Sequence, residues 1–435
     1  MQAMIRFIDT TKGGFEAELD AVLSRTQLNL ADVEKSVADI LADVRTRGDK
    51  ALYEWTAKFD KHTYTKDTVA VTEAEFAEAY KSVDKATLDS LKKAISNVLT
   101  YHKAQLKEKK LTEKKGTKIG MLLRPIARAG IYVPGGTAPY PSSVLMTVLP
   151  AISAGVAEIV VCSPNLTNPL TLVALKECFD TASGAVACSV YKVGGAQAIG
   201  AMAYGTESIR KVDVIAGPGN IFVTTAKKQV FGSVKIDMIA GPSEILIIAD
   251  NTARADYVSA DMLSQAEHDK LSASILITTS RDVADEVKWE LASQLTKLPR
   301  KAIAEESLAK NGAIILVKTM DEAVALAERI APEHLELCVK EPQAVLPKIT
   351  TAGAVFVGNY SPEPLGDYFA GPSHVLPTSG TAKHFEVLNA ETFMRKMSYI
   401  EYEQKSLLAV APDITRLAEI EGFRAHANSI NIRKK

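Results

Sequence analysis

The stretch PSEILIIADNTARADYVSADMLSQAEHDKLSASILITT, residues 242–279, decides the fold. Two short apolar runs, residues 245–249 and 275–278, enclose a segment whose last part, residues 261–269, is typical of the end of a helix. A strand, a helix and a second strand form the repeating unit of a parallel sheet, in which the strands are apolar because both faces of the sheet are covered. The stretch therefore predicts one βαβ unit.

The same alternation recurs on both sides of that unit, with glycine and proline between the apolar runs. It predicts an α/β fold with two Rossmann-like, parallel-sheet domains, one of them inserted in the other. The strands of these domains are predicted, besides the two runs above, at residues 126–133, 158–162, 186–193, 212–216, 236–239, 313–317 and 354–357.

Domain boundaries are predicted where the texture of the sequence changes. The first α/β domain takes residues 30–131 and 243–389 and carries the candidate metal and acid–base residues, and the inserted second domain takes residues 132–242. An N-terminal extension, residues 1–29, precedes a mainly helical segment within the first 100 residues. Residues 390–435 are predicted to form an extended helical tail. A segment so short cannot bury its own core, so it packs on the main body or on a partner subunit.

Composition excludes several functional classes. The chain has 435 residues, is 47% hydrophobic and carries a formal net charge of -1, so no global field favours nucleic acid or an anionic membrane surface. The lysine-rich residues 103–118 lack an aromatic residue for base stacking and are interpreted as a solvated helix and loop.

The cysteines and the apolar segments predict a cytoplasmic protein. The four cysteines are not arranged in CxxC pairs or at disulfide-scaffold spacing, which favours reduced thiols. Residues 1–14 contain no apolar signal-peptide core, and the most apolar segment, residues 144–162, is interrupted by Pro150 and Glu158. Neither export nor membrane insertion is expected.

Gln265 and His268 form the first polar signature. They stand three residues apart at the end of the predicted helix, so their side chains share one face and could hold a metal. Taken alone, such a pair more often meets only solvent or a carbonyl group.

Glu333 and His334 form the second signature. Pro332 suits the first turn of a helix, and adjacent helical residues diverge by about 100 degrees. That geometry is awkward for binding one metal but suits two acid–base groups facing one substrate, since histidine titrates near neutral pH. The alternative is a helix N-terminus at which Glu333 only stabilises the macrodipole.

Two further signatures lie towards the C-terminus. Asp367 stands in a Gly/Pro-rich turn after the strand at residues 354–357, where loops at carboxyl ends of strands build α/β active sites, and His374 is nearby. Glu421 and His426 are five residues apart, and a chain break at Gly422 would be needed for both to enter one pocket. The four signatures together predict one site that binds a divalent metal and carries acid–base chemistry.

Neither GxGxxG nor GxxxxGK[ST] occurs in the chain, so the two strongest phosphate-binding patterns are absent and the Rossmann-like domains are incomplete. Glycine turns at residues 133–136, 194–197 and 217–220 nevertheless follow predicted strands. Backbone N–H groups or amide side chains there could approach a ligand, although each turn alone is a weak signal.

The combination of motifs closely resembles the histidinol dehydrogenase family from about residue 30 to residue 432. The motifs are RTRGDKALYEWTAKFD (45–60), YVPGG (132–136), YPSSVLM (140–146), VGGAQAIGA (193–201), GPGN (217–220), AGPSE (240–244), SQAEH (264–268), PEHLE (332–336) and HVLPT (374–378). One departure is Lys270, where the family often has proline or another turn residue.

The resemblance implies oxidation of L-histidinol through the aldehyde to L-histidine, with two NAD and one zinc ion per active site, as the last step of histidine biosynthesis. His334 would be the base for each hydride transfer, and Glu333 would activate water. The resemblance further implies that the zinc ligands are Gln265, His268, Asp367 and His426. Substrate contacts would come from Ser243 and Glu421, together with the zinc ligands and His334. Contacts to NAD would come from Tyr132, Gln197 and Asn220.

It also implies an intertwined homodimer, in which the C-terminal tail places Glu421 and His426 in the site of the other subunit. Two enzyme alternatives stay open on the residues alone. One is oxidation of another small primary alcohol by the same residues. The other is zinc hydrolysis, although HExxH is absent. A non-catalytic metal- or nucleotide-binding protein is the third alternative.

Overall fold

The computed structural model describes residues 5–23, 31–106, 110–135, 140–164, 166 and 168–434. The larger of its two parallel sheets has six strands. In spatial order they are β1 (Arg6–Asp9), β11 (Ala313–Leu316), β10 (Ala273–Thr278), β9 (Glu244–Ala249), β12 (His334–Cys338) and β13 (Ala354–Val357).

The second parallel sheet has five strands. Their spatial order is β6 (Ala187–Tyr191), β5 (Glu158–Cys162), β4 (Arg128–Tyr132), β7 (Val214–Ala216) and β8 (Lys235–Ile236). Counted along the chain, this is the order 3-2-1-4-5, and β9 to β13 repeat it in the larger sheet. Strand order reverses between β4 and β7 and between β9 and β12, which makes each gap a topological switch point. The predicted α/β class with parallel sheets is confirmed.

Helices cover both faces of the five-stranded sheet. One face is covered by α2 (Ala31–Arg47), α3 (Asp49–Asp60), α8 (Gly195–Tyr204) and α9 (Ile221–Val230). The other is covered by α4 (Glu73–Tyr80), α5 (Lys85–Lys103), α6 (Pro141–Ala154) and α7 (Pro169–Asp180).

The six-stranded sheet is covered in the same way. The helices α10 (Ala255–Ala266), α11 (Arg281–Leu295) and α12 (Lys301–Asn311) pack on one face, and α1 (Glu16–Leu23), α13 (Met320–Ile330) and α14 (Pro342–Val345) pack on the other. A short helix, α15 (Glu363–Tyr368), follows β13. Because both faces are covered, Ile245 to Ile248 of β9 are fully buried, and each such side chain contributes about 1.5–3 kcal/mol through burial.

This packing differs from the predicted division of the chain. The helices between residues 31 and 103 cover the five-stranded sheet, although residues 30–131 were assigned to the first domain. The boundary at residue 131 falls inside β4, and the predicted N-terminal extension supplies β1 and α1 to the six-stranded sheet. Amphipathic helices show which face is buried but not which sheet buries it.

A third, antiparallel sheet corrects two predictions. It consists of β14 (Met394–Tyr402), β3 (Thr117–Pro125) and β2 (Lys110–Lys114). The predicted helical tail therefore contains a nine-residue strand near its start, and the lysine-rich stretch contains strands instead of only a helix and loop. Residues 107–109 of that stretch lie outside the described chain. β14 exchanges backbone hydrogen bonds with a strand more than 250 residues earlier, a pairing that local periodicity cannot reveal.

The rest of the tail is a helical hairpin, α16 (Gln404–Ile420) and α17 (Arg424–Asn431), which we call the tail hairpin. The predicted break at Gly422 is confirmed, since its φ of 80° separates the two helices. Only Ala411 and Ala427 are buried in them, whereas Leu417 is 64% and Ile420 76% exposed. Short 3-10 helices occupy Leu346–Lys348, Thr381–Lys383, Ala390–Phe393 and Ile432–Lys434. None of the described helices is long and apolar enough to span a membrane.

Gly217 fixes how closely β4 and β7 approach at the switch point of the five-stranded sheet. Its φ is 120°, a region that L side chains rarely adopt, and a Cβ atom there would collide with the Tyr132 carbonyl oxygen. Gly232 has a φ of 98°, but a Cβ atom would meet nothing within 4 Å. Both glycines have a positive φ that strains other residues, but only at Gly217 would a side chain also collide with a neighbour.

We therefore predict that Gly217→Ala lowers the free energy of unfolding more than Gly232→Ala does. Backbone strain alone should cost about 1 kcal/mol in both variants, and the collision should add about 1–3 kcal/mol in Gly217→Ala. Denaturant unfolding of both variants measures the difference. Equal losses would show that the contact with Tyr132 is not restrictive.

Candidate active site

The residues with acid–base chemistry meet at the amino ends of β9 and β12. Ser243 and Glu244 lie at the start of β9, and Glu333 and His334 at the start of β12. The prediction that Pro332 starts a helix is wrong. Helix α13 ends at Ile330, and Ala331 turns the chain with a φ of 49° towards β12. Glu333 therefore does not stabilise a helix N-terminus, because the following residues are extended.

One residue, Glu244, orients both side chains. Its backbone N–H donates a hydrogen bond to Oε2 of Glu333 at 2.9 Å, and its carbonyl oxygen lies 3.0 Å from Nδ1 of His334. A carbonyl oxygen only accepts hydrogen bonds, so Nδ1 of His334 carries the proton and Nε2 of the neutral ring keeps a lone pair. Among the described residues that Nε2 atom has no hydrogen-bond partner; it is buried and lies 4.0 Å from Oδ1 of Asp367.

Burial shifts the titration of these groups in opposite directions. It lowers the pKa of His334 to about 4, so the ring is neutral in this arrangement. It raises the pKa of Glu333 well above the ordinary value, and the neighbouring carboxyl groups of Glu244 and Asp367 raise it further, against the hydrogen bond from Glu244. A carboxylate of raised pKa is a stronger base for water than an exposed one.

Asp367 reaches the site from α15, so its predicted placement in a turn at the carboxyl end of a strand is wrong. The helix begins beside the middle of β12, where the Glu363 N–H donates to Oε1 of Glu336 at 2.8 Å. It runs back towards the amino end of that strand, where Asp367 lies beside His334. Burial raises the pKa of Asp367 to about 6 and that of Glu363 to about 8.

His374 is the other neighbour of Asp367. Its Nδ1 lies 3.7 Å from Oδ1 of Asp367, and its Nε2 lies 3.5 Å from Oγ of Ser143 on α6. Burial lowers its pKa to about 4. Because α6 covers the five-stranded sheet, His374 connects the candidate site to the other half of the fold.

Gln265 and His268 lie where the sequence predicted, at the end of α10. Gln265 is buried in the last turn, and its Oε1 atom lacks a hydrogen-bond partner within the described ranges. His268 follows the helix and is exposed, and its backbone N–H donates to the Gln265 carbonyl oxygen at 3.2 Å. The His268 ring is close enough to influence the pKa of His334, His374 and Glu363, so α10 ends at the same site.

Sequence reasoning missed Glu363 and Glu336. Oγ of Ser264 lies 3.2 Å from Oε2 of Glu363, so Glu363 links α10 to α15. Ligand atoms of His334, Glu363 and Asp367 all lie within 4.8 Å of one another, a group that could hold a metal ion. Spacing offered a signal for both residues, since Glu363 precedes Asp367 by four on one helix and Glu336 follows His334 by two on one strand.

Glu421 and His426 are not brought to this site within one chain. Glu421 ends α16 and His426 lies in α17, and both are exposed. The ring of His426 packs against Phe423 of the same hairpin, with ring centroids 5.2 Å apart. Three of the four predicted signatures therefore converge in the described chain, and the fourth lies on the tail hairpin.

A separate cavity of about 460 Å³ opens at the carboxyl ends of β4, β6 and β7. Tyr132, Gln197 and Asn220 all line it, together with Ile40, Phe59, Asp60, Gly135, Pro164, Gly195, Ala196 and Phe222. This is the switch point of the five-stranded sheet, where α/β folds bind ligands. No residue of the site described above lines this cavity.

The glycine turns shape this cavity. Oη of Tyr132 accepts the Gly195 N–H at 3.1 Å, and Oδ1 of Asn220 caps α9 by accepting the Phe222 N–H at 3.1 Å. A Cβ atom on Gly135 or Gly194 would collide with Pro164. At least these two glycines are needed for close packing of the turns, in addition to any contact with a ligand; Gly136 lies outside the described residues.

A doubly wound α/β chain with a switch-point cavity and a separate cluster of buried acid–base groups is typical of nucleotide-linked oxidoreductases. Comparison with known proteins gives the family. The family model described as histidinol dehydrogenase matches residues 23–434. The chain belongs to the histidinol dehydrogenase family, whose members are NAD-linked oxidoreductases of histidine biosynthesis.

Individual relatives agree over nearly the whole length. The chain is 49% identical to histidinol dehydrogenase of Heliobacterium mobile, covering 96% of this chain and 97% of that protein. It is 46% identical to the Geobacter sulfurreducens enzyme of the same name, covering 99% and 100%.

Solved structures lead to the same family. The crystal structure of histidinol dehydrogenase from Elizabethkingia anophelis matches with a TM-score of 0.93 at 35% identity, covering 100% of this chain and 98% of that one. An acetylating aldehyde dehydrogenase from Geobacillus thermoglucosidasius matches with a TM-score of 0.51 at 14% identity, covering 89% and 96%, a likeness of fold alone.

The buried carboxyl groups predict that the metal-free protein loses stability as the pH rises. A carboxyl group whose pKa is raised by folding binds more protons in the folded state, so stability falls between its unfolded pKa, near 4.5, and its folded pKa. Below about pH 6.5 the lowered pKa values of His334 and His374 act in the opposite direction and offset Asp261 of α10, whose pKa is about 6. Above that pH Glu363, at about 8, dominates, so the thermal midpoint of chelator-treated protein should fall from pH 6.5 to pH 8.

Glu336→Gln should flatten this dependence. The pKa of Glu336 is raised by burial and then by Asp261, and a glutamine keeps an oxygen that can accept the Glu363 N–H. Differential scanning calorimetry at several pH values measures the midpoints. An unchanged slope in a folded Glu336→Gln protein would contradict the assignment.

Proposed function

We propose that this chain oxidises L-histidinol through L-histidinaldehyde to L-histidine with two NAD, the final step of histidine biosynthesis. The proposal rests on the family and on one observation, the partnerless Nε2 atom of His334 beside the buried Glu333 and Asp367 carboxyl groups. A base with a free lone pair and a second proton acceptor are the two groups that this reaction requires from the protein.

In the first step, His334 takes the hydroxyl proton of the alcohol at Nε2 while the carbon passes a hydride to NAD. One alcohol and one NAD become one aldehyde, one NADH and one proton. The hydrogen bond from Nδ1 to the Glu244 carbonyl stabilises the protonated ring, because that carbonyl oxygen continues to accept from the charged imidazolium.

In the second step, Glu333 removes a proton from the water that adds to the aldehyde carbon. The resulting hydrate has a hydroxyl group, so His334 can act again as the base while a second NAD accepts the hydride. The products are a carboxylate, a second NADH and two protons. The two adjacent side chains thus take different protons, and both are oriented through Glu244.

We propose that Gln265, His268, Asp367 and, from the second chain of a dimer, His426 hold the zinc ion. The donor set fits the metal's preference for nitrogen and oxygen, and Oε1 of Gln265 is buried without a partner. Bound there, zinc would supply a Lewis acid that anchors the substrate. The alternative group of His334, Glu363 and Asp367 would occupy the lone pair that the base needs, which favours the first set.

We assign NAD to the cavity at the switch point of the five-stranded sheet. Tyr132, Gln197 and Asn220 lie on its walls, and Gln197 has a buried amide without hydrogen-bond partners in the described part of the chain. The start of α8 offers backbone N–H groups and the positive end of the helix dipole to a pyrophosphate. Without a GxGxxG turn the cofactor would bind weakly, so the first NADH could leave before the second hydride transfer.

The tail hairpin supports a homodimer with shared sites. In a single chain the hairpin exposes four apolar residues to water, which are Ile414, Leu417, Ile420 and Phe423. Burying them against a second copy would remove this unfavourable hydration free energy. Covering this surface would carry Glu421 to the substrate and His426 to the zinc of the other subunit, and Ser243 would add a substrate contact from the first. Four free cysteines agree with the reducing cytoplasm.

The function is tested by counting NADH. Zinc-loaded protein incubated with L-histidinol and NAD should form two NADH for each histidinol consumed and lose this activity on chelation. One NADH per histidinol with released aldehyde, or no NADH at all, would contradict the four-electron reaction.

Variants of the two proposed proton acceptors separate the steps. Glu333→Gln should still oxidise histidinol but stop at the aldehyde, whereas His334→Ala should slow histidinol oxidation by about a hundredfold or more. Absorbance at 340 nm and aldehyde trapping measure both. A normal rate of histidinol oxidation by His334→Ala would disprove its role as the base.

Shared sites are tested by mixing two inactive variants. In a dimer of His426→Ala with His268→Ala, one site would receive intact residues from both chains if His426 acts in the partner. Co-expression should therefore restore about a quarter of the wild-type activity, since half of the dimers are mixed and each has one intact site. If His426 served its own chain, both sites would be defective and no activity would return.

A further inference from the structure

Asp60 lies in the proposed NAD cavity and has no role in the chemistry assigned so far. It is the last residue of α3, and it lines the cavity together with Phe59. Its Oδ2 atom is buried and has no hydrogen-bond partner among the described residues. Burial raises the pKa of Asp60 above its ordinary value, against the nearby His62 and a hydrogen bond from the Gly194 backbone N–H before α8. A buried carboxylate with unused acceptor capacity is costly unless a ligand supplies donors.

The described residues that line the cavity carry negative charge and no positive charge. Among the described residues that line it, Asp60 alone is charged, and residues 136–139, which follow Gly135, are uncharged in sequence. Lys58 places its ammonium 4.5 Å from the centre of the Trp55 ring and does not line the cavity. The C-terminus of α3 adds the negative end of a helix dipole beside Asp60.

The ribose hydroxyls of NAD and the 2′-phosphate of NADP are bound by side chains of opposite charge. An acidic side chain accepts hydrogen bonds from the 2′- and 3′-hydroxyls of NAD, whereas the 2′-phosphate of NADP requires a cationic side chain. The dianionic 2′-phosphate of NADP beside the Asp60 carboxylate would meet repulsion in a partly desolvated cavity with no cation among its described walls.

The cavity holds the adenosine half of the cofactor better than the nicotinamide half. Phe59 and Phe222 line it and are 50% and 40% exposed, so their rings are available to stack on a base. None of the proposed acid–base or zinc residues lines it, so the nicotinamide has to extend out of the cavity to reach His334.

Resting on the proposed function, we infer that Asp60 binds the adenosine ribose of NAD and excludes NADP, and so determines cofactor specificity. The carboxylate comes from a helix outside the strands and turns of the five-stranded sheet. It would accept hydrogen bonds from the ribose hydroxyls, as an acidic residue near the second strand does in complete Rossmann domains.

The first experiment compares Asp60→Asn with the wild type. Asparagine keeps the shape and an oxygen for the Gly194 N–H but removes the charge. We expect the ratio of kcat/KM for NADP to that for NAD to rise about tenfold or more. Asp67→Asn, at an exposed aspartate in the segment after α3, is the matched control and should leave the ratio unchanged.

The second experiment measures binding without turnover. In calorimetry, 2′-deoxyadenosine NAD should bind the wild type about tenfold more weakly than NAD, and Asp60→Ala should lose most of that difference. Such a cycle isolates the contact between carboxylate and hydroxyl from any general loss of folding, which thermal unfolding of each variant checks.

The outcomes separate this inference from the proposed function. An unchanged NADP to NAD ratio in folded Asp60→Asn, or an equal loss for both cofactors, would overturn the inference while leaving NADH formation from histidinol intact. Absence of NADH formation in the wild type, combined with the predicted binding pattern, would instead overturn the proposed reaction and leave the role of Asp60 standing.

Discussion

The candidate active site depends on how one backbone unit, that of Glu244, is shared between two neighbouring strands. At the amino end of β9 its N–H faces the Glu333 carboxylate and its carbonyl oxygen faces the His334 ring, because β12 lies beside β9 in parallel register. A shift of one residue in that register would turn both side chains to the wrong face. The buried β9 strand, which has neighbours on both sides, therefore determines the tautomer of a histidine as well as the position of a carboxylate.

Parallel strands and the ends of helices were predictable from the sequence, because both leave a local pattern. The strand at residues 158–162 was predicted with its observed bounds, and the end of α10 beside Gln265 was predicted correctly. The pairing of β14 with β3 and the addition of β1 to the six-stranded sheet depend on residues far apart in sequence. The start of β12 was misread because proline after a helical segment suits both a new helix and an exit into a strand.

For the site, residue types were more informative than predicted secondary structure. Glu333, His334, Asp367 and Gln265 converge although the first three lie on elements other than those expected. The carboxyl groups of Glu336 and Glu363 were overlooked because an acidic residue is ordinarily solvated, and only packing shows that these two are buried. The two parallel sheets also place these features at opposite ends of their strands. The acid–base residues gather at the amino ends of strands in the six-stranded sheet, and the proposed cofactor cavity lies at the carboxyl ends of strands in the five-stranded sheet.

The position of β1 has a consequence for the order in which the chain can fold. All strands of the five-stranded sheet lie between residues 128 and 236, so that sheet can be completed while the second half of the chain is still being synthesised. Strand β1, although made first, pairs with β11, about 300 residues later. Strand β1 therefore has no partner strand until β11 has been synthesised. Because this pairing joins residues so far apart in sequence, we expect it to be among the slowest to form in this fold.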